Sequence, residues 1–454
     1  MQLVEQHVIG RRDPRYAVID TAAFASKNLY NAALYVIRQS YIFERSYLSY
    51  TEMDKRMQEH EAYKTLPAKV SQQVLKQLDK AWQSFFEARK AYQQDPSTFL
   101  ACPGLPRYKH KTKGRNLLVY TEQAVSKKAL KRGLIQPSML SITVKTKQRR
   151  VDQVRIVPKS GYYVVEVVYE KAVQPAGVNA SLYAGVDIGV NNLAAIASNK
   201  PGFVPFIVNG RPVKSINQYY NKRRAGLQKK RMSTGKDTRR MERLTTKRNR
   251  RIDHYLHVAS RQIIELLVSE GIGTLVIGKN PAWKQQANQG KRNNQNFVYI
   301  PHARFIDMLT YKAKLLGIRV QVTEESYTSK ASFLDLDELP LYDPNHETCQ
   351  EKEGEKHSFS RKRIKRGLYR ASNGRYINAD VNGAFNIIRK VVPDAFTAGV
   401  ERAIVHPVQL VRSKQSGPEV MHKIGDGKPW SPMSFSCQKR LSMILWIPSK
   451  ALFM

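Results

Sequence analysis

Residues 183–198 read YAGVDIGVNNLAAIAS, and this stretch indicates the fold of the second half of the chain. Its two apolar runs are separated by turn-forming residues from Gly189 to Asn192, which predicts an antiparallel hairpin. Further strand-like runs follow, such as TLVIG at 274–278, and they alternate with helical patterns, one of them opened by Pro301. Strands that alternate with helices predict an α/β domain beginning at about Ser181.

Asp187 lies inside the first of these apolar strands. Burying an ionised carboxylate without a partner costs several kcal/mol, so something must compensate it. Because Gly189 follows closely, Asp187 could belong to a turn. The alternative, which gives Asp187 a chemical function, is that it binds a metal ion.

Two further acidic positions follow in the same domain. Asp380 begins the helix in NADVNGAFNI, where Asp380 or Asn378 could simply cap the first backbone amides. Glu324 and Glu325 end the strand VQVTEES, where acidic side chains could equally face solvent. Each residue alone has an ordinary structural explanation.

The combination of these carboxylates is more specific than any single member. Two Mg²⁺ ions about 4 Å apart can activate water and stabilise the leaving oxygen in phosphodiester hydrolysis, and they prefer oxygen ligands. We therefore predict Asp187, Asp380 and one glutamate of the pair Glu324 and Glu325 as catalytic Mg²⁺ ligands.

The overall charge points to a polyanionic partner. The chain has 76 Lys and Arg against 37 Asp and Glu, a formal net charge of +39. Nucleic acid is the expected partner. A membrane is not, because no run of 18 or more apolar residues occurs. The first ten residues do not resemble a secretory signal, which predicts a cytoplasmic protein, associated with the nucleoid in a prokaryotic-type cell.

The cations are concentrated in a few segments. A run at residues 222–251 is almost unopposed by acidic residues, which favours contact with a phosphate backbone over a solvated face. The residues predicted to bind nucleic acid are Arg107, Tyr108, Lys109, Lys111, Lys113, Arg223, Arg224, Lys229, Lys230, Arg239, Arg240, Arg243, Arg248, Lys284, Arg361, Lys362, Arg363, Lys365 and Arg366.

The first 180 residues differ from the rest in pattern. Helical spacing dominates from about Arg15 to Gln93, and β-type segments with turns follow the basic stretch near Tyr108. The aromatic residues Trp82, Phe85 and Phe86 are predicted to be packed core. Three scattered cysteines support neither a disulfide framework nor a zinc site.

At several of these places the sequence resembles TnpB proteins, the transposon-encoded relatives of type V CRISPR effector nucleases. The resemblance rests on GVDIGVNNLAAIAS, VIGKNPAWKQ, EESYTSKASFLD, FSRKRIKRGLY and NADVNGAFNI, in this order along the chain. In typical members a glutamate ends the strand that here reads TLVIGKN, whereas this chain has Gly278. The resemblance is to a subset in which a glutamate from the next strand takes over. It implies Asp187, Glu325 and Asp380 as the catalytic Mg²⁺ ligands, with Glu324 as the alternative to Glu325.

The resemblance implies a multidomain α+β and α/β architecture with an RNase H-like RuvC domain. The expected parts are a wedge β-barrel (1–14 and 108–180), a helical recognition lobe (15–107), a RuvC-like nuclease domain (181–411) with a basic helical segment (213–270) and a target-nucleic-acid-binding loop (about 328–378), and an irregular tail (412–454) that could be disordered. It implies a monomer that uses two Mg²⁺ ions, a guide RNA from the transposon end and double-stranded target DNA, without zinc.

Two other functions stay open on the sequence. One is an RNA-guided regulator that binds DNA but has lost nuclease activity, an alternative suggested by Gly278. The other is an unguided RNase H-fold transposase or junction resolvase, which needs the same metals but no RNA. The RNA-guided DNA endonuclease is favoured because all three carboxylates occur in their motifs.

Overall fold

The computed structural model describes residues 1–229, 238–280, 290, 295, 297–340, 359–360, 363–365, 367–396, 399, 405–412, 418–421 and 432–433. The described residues form a mixed α+β protein with two compact units, residues 1–171 and residues 172–441. The prediction for the tail from residue 412 falls largely outside the described residues, apart from two short strands given below.

The first unit contains two long helices and several short ones. Ser49 begins one short helix with a capping box, in which Ser49 and Glu52 satisfy each other's backbone amides. The helices are α1 (Arg15–Gln39), α2 (Tyr50–Met57), α3 (Glu61–Lys64), α4 (Ala68–Gln94) and α5 (Lys127–Lys131).

The strands of the first unit form a four-stranded antiparallel sheet and a separate two-stranded one. They are β1 (Gln2–Gly10), β2 (Leu118–Thr121), β3 (Leu134–Ile135), β4 (Val144–Lys145), β5 (Gln153–Lys159) and β6 (Tyr162–Glu170). The larger sheet has the order β1-β6-β5-β2, and β3 pairs with β4.

Helices and sheet of the first unit share one hydrophobic core. Trp82 on α4 is fully buried in this core, and the centre of its ring lies 5.1 Å from that of Tyr41 and 5.8 Å from that of Phe86. Phe85 and Phe86 are partly buried against the same core. The prediction that these aromatic residues are core is therefore confirmed.

The second unit is built on an eight-stranded sheet of order β11-β10-β7-β8-β9-β15-β16-β17. Strands β7, β8 and β9 form an antiparallel meander, and β10 and β11 continue the sheet in parallel with β7. The strands are β7 (Asn179–Asp187), β8 (Asn192–Ser198), β9 (Phe206–Asn209), β10 (Ile272–Gly278), β11 (Arg319–Thr323), β15 (Val408–Arg412), β16 (Pro418–Met421) and β17 (Pro432–Met433).

In the part of the second unit that the structure describes, four long helices and a small sheet accompany this main sheet. The helices are α6 (Arg211–Lys229), α7 (Arg239–Ser269), α8 (His302–Leu315) and α9 (Ala379–Val391). The small sheet has the order β12-β13-β14, formed by Arg363–Lys365, Leu368–Arg370 and Tyr376–Asn378. Helix α9 lies directly on β7, where a Cβ atom on Gly185 would be 2.1 Å from the carbonyl oxygen of Ala384. Only glycine allows this approach.

In the parts of the chain that the structure describes, none of the helices combines the length and apolar character needed to cross a membrane.

Candidate active site and nucleic-acid interface

Three parallel strands of the second unit end at the same edge of the sheet. In the pairing of β7 with β10, Val186 lies opposite Ile277, and in the pairing of β10 with β11, Gly278 lies opposite Thr323. Asp187 is therefore level with Gly278. The two glutamates that follow Thr323 emerge beside them, at the carboxyl ends where open α/β sheets place their ligands.

Gly278 makes room for the side chain of Glu325. A Cβ atom on Gly278 would lie 2.6 Å from Ile387 Cδ1, 3.0 Å from Glu325 Oε2 and 3.1 Å from Glu325 Cβ. Because β10 lies between β7 and β11, the Glu325 side chain covers the end of this middle strand and leans toward the Asp187 strand. The backbone amide of Glu325 donates to the Asn280 side-chain oxygen at 2.9 Å, which fixes the turn after β11.

Glu324 has a different environment. Its carboxylate accepts a hydrogen bond from the buried Lys390 ammonium of α9 and one from the Ser326 amide at 2.7 Å. Burial alone would raise the pKa of Glu324, but these hydrogen bonds outweigh it and hold that pKa below its usual value. The side chain is thus used in an internal ion pair.

Asp380 comes to the site on the first turn of α9. Asn378 caps this helix, since its side-chain oxygen accepts from the amides of Asp380 and Val381 at 3.0 and 3.2 Å. The Asp380 side chain is not needed as the cap. One of its oxygens accepts from Asn192 at 2.7 Å, and the other pairs with Arg363 at 3.1 Å.

Asp187 and α9 are in close contact. A Cβ atom on Gly383 would lie 2.7 Å from Asp187 Oδ2, so a larger residue at this position would displace the carboxylate. Burial, followed by repulsion from Asp380 and Glu325, raises the pKa of Asp187 well above its ordinary range. The positive charge of Arg363 offsets this only in part.

Glu325 is perturbed in the same direction. Burial, followed by repulsion from Glu324, raises the pKa of Glu325 to about 7, and Lys390 opposes this shift. Two carboxyl groups with raised pKa values, those of Asp187 and Glu325, fit a site whose negative charge is compensated by a bound cation. Together with Asp380 they offer the oxygen donors that suit Mg²⁺.

The carboxylates do not already form a closed coordination shell. Among the described residues, no three His, Cys, Asp or Glu side chains are grouped closely enough to hold one metal ion. Asp380 is instead engaged by Asn192 and Arg363. The donor set has the chemistry that Mg²⁺ needs, but Asp380 must exchange these partners for a metal.

Sequence reasoning missed two asparagines that hold the site together. Asn382 and Asn386 are fully buried on α9, and their side-chain amides donate to the Ala331 carbonyl at 2.8 and 2.9 Å. Asn386 also donates to the Thr328 carbonyl at 3.0 Å. They attach the segment after Glu325 to the helix that carries Asp380. Two polar residues four apart on an otherwise apolar helix face were the available signal.

The basic helices α6 and α7 carry most of the predicted cations of the second unit. Arg223, Lys229, Arg239, Arg240 and Arg243 are exposed. The prediction for Lys230 falls outside the described residues, as do those for Lys284, Arg361, Lys362 and Arg366.

Arg248 and Arg224 lie in less open positions. Arg248 donates to the Asn217 side chain at 2.8 Å and to the Tyr299 carbonyl at 2.8 Å, with its guanidinium 5.5 Å from the Tyr220 ring. Burial lowers the pKa of Arg248. Arg224 is partly buried and donates to the Tyr220 hydroxyl at 3.4 Å. Both have structural partners in addition to any role in binding.

In the first unit, the basic segment near Tyr108 is fastened to α1. Lys109 exchanges two backbone hydrogen bonds with the Asn31 side chain, at 2.8 and 2.9 Å, and its ammonium lies 4.7 Å from the Tyr30 ring. Burial lowers the pKa of Lys109. Arg107, Tyr108, Lys111 and Lys113 are exposed, and the Arg38 guanidinium of α1 lies 4.9 Å from the Tyr108 ring. In the second unit, Arg363 and Lys365 are exposed on β12.

Two stretches of the chain, which together include most of the strands and helices described for the second unit, match known protein families. Residues 166–284 match a family model described as a probable transposase, and residues 302–387 match one described as a Cas12f1-like TNB domain. A TnpB-like protein, ORF457 of Acidianus two-tailed virus, is 24% identical over 233 residues, which are 49% of this chain and 44% of that protein. The match therefore spans less than half of the curated relative.

Two solved structures were also compared. The Cas12f1–sgRNA–target DNA complex has a TM-score of 0.49 and 14% identity, with 82% of each chain covered. A CRISPR–Cas12f ternary complex has a TM-score of 0.33 and 12% identity, covering 82% of this chain and 80% of that one.

Residues 166–284 are thus similar to a probable transposase, and residues 302–387 are similar to a Cas12f1-like TNB domain. Together with the TnpB-like viral relative, these matches support a relation to the TnpB family.

Proposed function

We propose that this chain is a transposon-derived, RNA-guided DNA endonuclease that hydrolyses phosphodiester bonds with two Mg²⁺ ions held by Asp187, Glu325 and Asp380. The observation that carries the proposal is the space above Gly278, which the Glu325 side chain fills at the edge where β7 also ends. A glutamate from β11 thereby reaches the position that a side chain on β10 would have occupied. The bond of Glu324 to Lys390 favours Glu325 over Glu324 in this role.

The second unit is proposed to be an RNase H-like RuvC domain. An antiparallel meander continued by two parallel strands, with α9 packed on β7, supports this assignment. In the first unit, we assign the β-sheet to a wedge domain and the α1–α4 helices to a recognition lobe. The region matched by the TNB model would contact target DNA.

The residues of the site have separate tasks in this mechanism. Asp187 and Glu325 supply anionic oxygens, and Asn382 and Asn386 keep Glu325 at a fixed distance from α9. When bound, Mg²⁺ supplies a Lewis acid that polarises the scissile phosphate and lowers the pKa of the attacking water. Arg363, released from Asp380, is positioned to contact a phosphate of the cut strand. Hydrolysis leaves a 3′-hydroxyl and a 5′-phosphate.

The partners follow from charge and family. A guide RNA from the transposon end would lie on the exposed cations of both units, and base pairing with it would select the double-stranded DNA target. The protein is proposed to act as a cytoplasmic monomer.

The test is divalent-dependent cleavage of guide-matched DNA by the purified protein with its copurified RNA. Asp187→Ala and Glu325→Ala should abolish cutting while guided binding persists, because remote cations carry the affinity. Glu324→Gln is the matched control: it removes the charge but keeps an oxygen that accepts from Lys390, so cutting should survive. Retained cutting by Glu325→Ala would refute the assignment.

Two other results would redirect the proposal. A wild-type protein that binds guide-matched DNA but never cuts would indicate the regulator. Cutting that needs no RNA would indicate an unguided transposase or resolvase.

A further inference from the structure

The hairpin of α6 and α7 carries a groove of about 410 Å³ on one face. Helix α6 lines it with Tyr219, Arg223 and Leu227, whose spacing of four residues places them on one side of the helix. From α7 the lining includes Arg243 and Lys247, also four residues apart. We call this surface, including Arg240 and Leu244, the hairpin groove.

The rim of the hairpin groove is cationic. Arg223, Arg240, Arg243 and Lys247 are all exposed, and none forms an ion pair with a residue that the structure describes. Arg248, one position further along α7, shows the contrast, because its guanidinium is held by Asn217 and Tyr299. The rim charges are therefore available to an external anion.

The floor of the hairpin groove is apolar and aromatic. Leu227 and Leu244 are half-buried, and Tyr219 is 56% exposed. The next residue, Tyr220, is only 4% exposed and places its hydroxyl 3.1 Å from Thr245 Oγ1. One tyrosine of the pair thus holds the hairpin together, whereas the other presents its ring to the groove.

We propose that the hairpin groove binds an unpaired stretch of polynucleotide, with a base stacked on Tyr219 and the flanking phosphates on the rim cations. This rests on the proposed function as a nucleic-acid-processing protein, but it adds a strand type and a base-contacting residue. An aromatic ring beside a basic track is the combination that recognises single strands, because every base has a π-face. A duplex hides its bases and could use only the cations.

The experiment measures binding of fluorescein-labelled single strands by anisotropy, using the full-length protein freed of copurified nucleic acid at high salt. The probes are a 20-nucleotide oligo-dT, the matching oligo-U and a DNA duplex of the same length. Tyr219→Ala should weaken single-strand binding between about 5-fold and 100-fold, the range expected for one stacked base. Tyr219→Phe should bind within about twofold of wild type, and duplex binding should be unchanged in both variants.

The salt dependence of binding separates stacking from charge. Arg243→Gln should lower the slope of log Kd against log salt by about 0.7 for a single strand, whereas Tyr219→Ala should leave this slope intact. The comparison of oligo-dT with oligo-U tells whether DNA or RNA is the preferred strand.

Wild-type affinity in Tyr219→Ala, or equal losses for single strand and duplex, would overturn the proposal. The proposal would also be overturned if polyglutamate displaced the labelled strand at the same concentration as unlabelled oligo-dT of equal charge. Cleavage decides the proposed function separately. A protein that cuts nothing can still show the Tyr219 effect, and one that cuts normally can lack it.

Discussion

Replacing Glu325 with glutamine is expected to stabilise the metal-free protein at pH 8 and to change its stability little at pH 5. Folding raises the pKa of Glu325 from its ordinary value of 4.5 to about 7, first through burial and then through repulsion from Glu324. Between pH 4.5 and about pH 7, the pKa values of the unfolded and folded states, the folded protein binds more protons than the unfolded chain. Its stability therefore falls as pH rises through this window, and the neutral amide of glutamine avoids that loss.

The size of the effect follows from the pKa difference. A difference of one pKa unit corresponds to about 1.4 kcal/mol, so the full window corresponds to roughly 3 kcal/mol. Glu325 is partly exposed, and solvent screening reduces the expected gain to about 1–2 kcal/mol. Added Mg²⁺ should reverse the order, because it binds the folded wild type more tightly than the variant.

The assay is hydrogen exchange of strands β7 and β10, since a chain with two compact units need not melt in one transition. Glu324→Gln is the control with the opposite sign at pH 8, because Lys390 holds the pKa of Glu324 below its usual value. A loss of protection in Glu325→Gln at pH 8, or an equal gain at pH 5, would refute the reasoning.

Three further predictions follow. Gly278→Ala should lower the cutting rate at least tenfold without loss of RNA binding, because the new Cβ would lie 2.6 Å from Ile387 Cδ1 and 3.0 Å from Glu325 Oε2 and would displace both side chains. Single-turnover cleavage measures this, and a normal rate would contradict the geometry. Asn386→Ala should lower the free energy of unfolding by about 1–3 kcal/mol and slow cutting, since it removes the side-chain donor to the Thr328 carbonyl and one of the two donors to the Ala331 carbonyl. Urea unfolding followed by hydrogen exchange of α9 would show it. Arg223→Ala should reduce the salt slope of nucleic-acid binding, whereas Arg248→Ala should mainly destabilise the α6–α7 hairpin; salt titration beside thermal melting separates the two.

Features with local signals could be predicted from the sequence. The hairpin across Gly189 to Asn192 occurs as β7 and β8, because its turn residues and apolar runs are adjacent in the chain. The helix after Pro301 and the helix that contains Asp380 also occur where capping residues indicated them. In each case the interactions that decide the structure span only a few residues.

Features decided by distant partners could not be predicted in the same way. The sequence alone left Glu324 and Glu325 as alternatives, and the distinction depends on Lys390, which is 66 residues away. Arg248 stood in a run of cations that all looked equivalent. Its guanidinium is held by Tyr299, which is 51 residues away in the chain. No periodicity or charge pattern contains this information.

The position of β10 in the sheet explains how a glutamate could move from one strand to the next. Because β10 lies between β7 and β11, a side chain at its end is close to both neighbours, which lie about 5 Å to either side. A glutamate on β11 must lean across that end to approach Asp187, and any side chain there would obstruct it. Glycine at 278 leaves the end of β10 open to the Glu325 side chain, which is why we propose Glu325 as the ligand at this edge of the sheet.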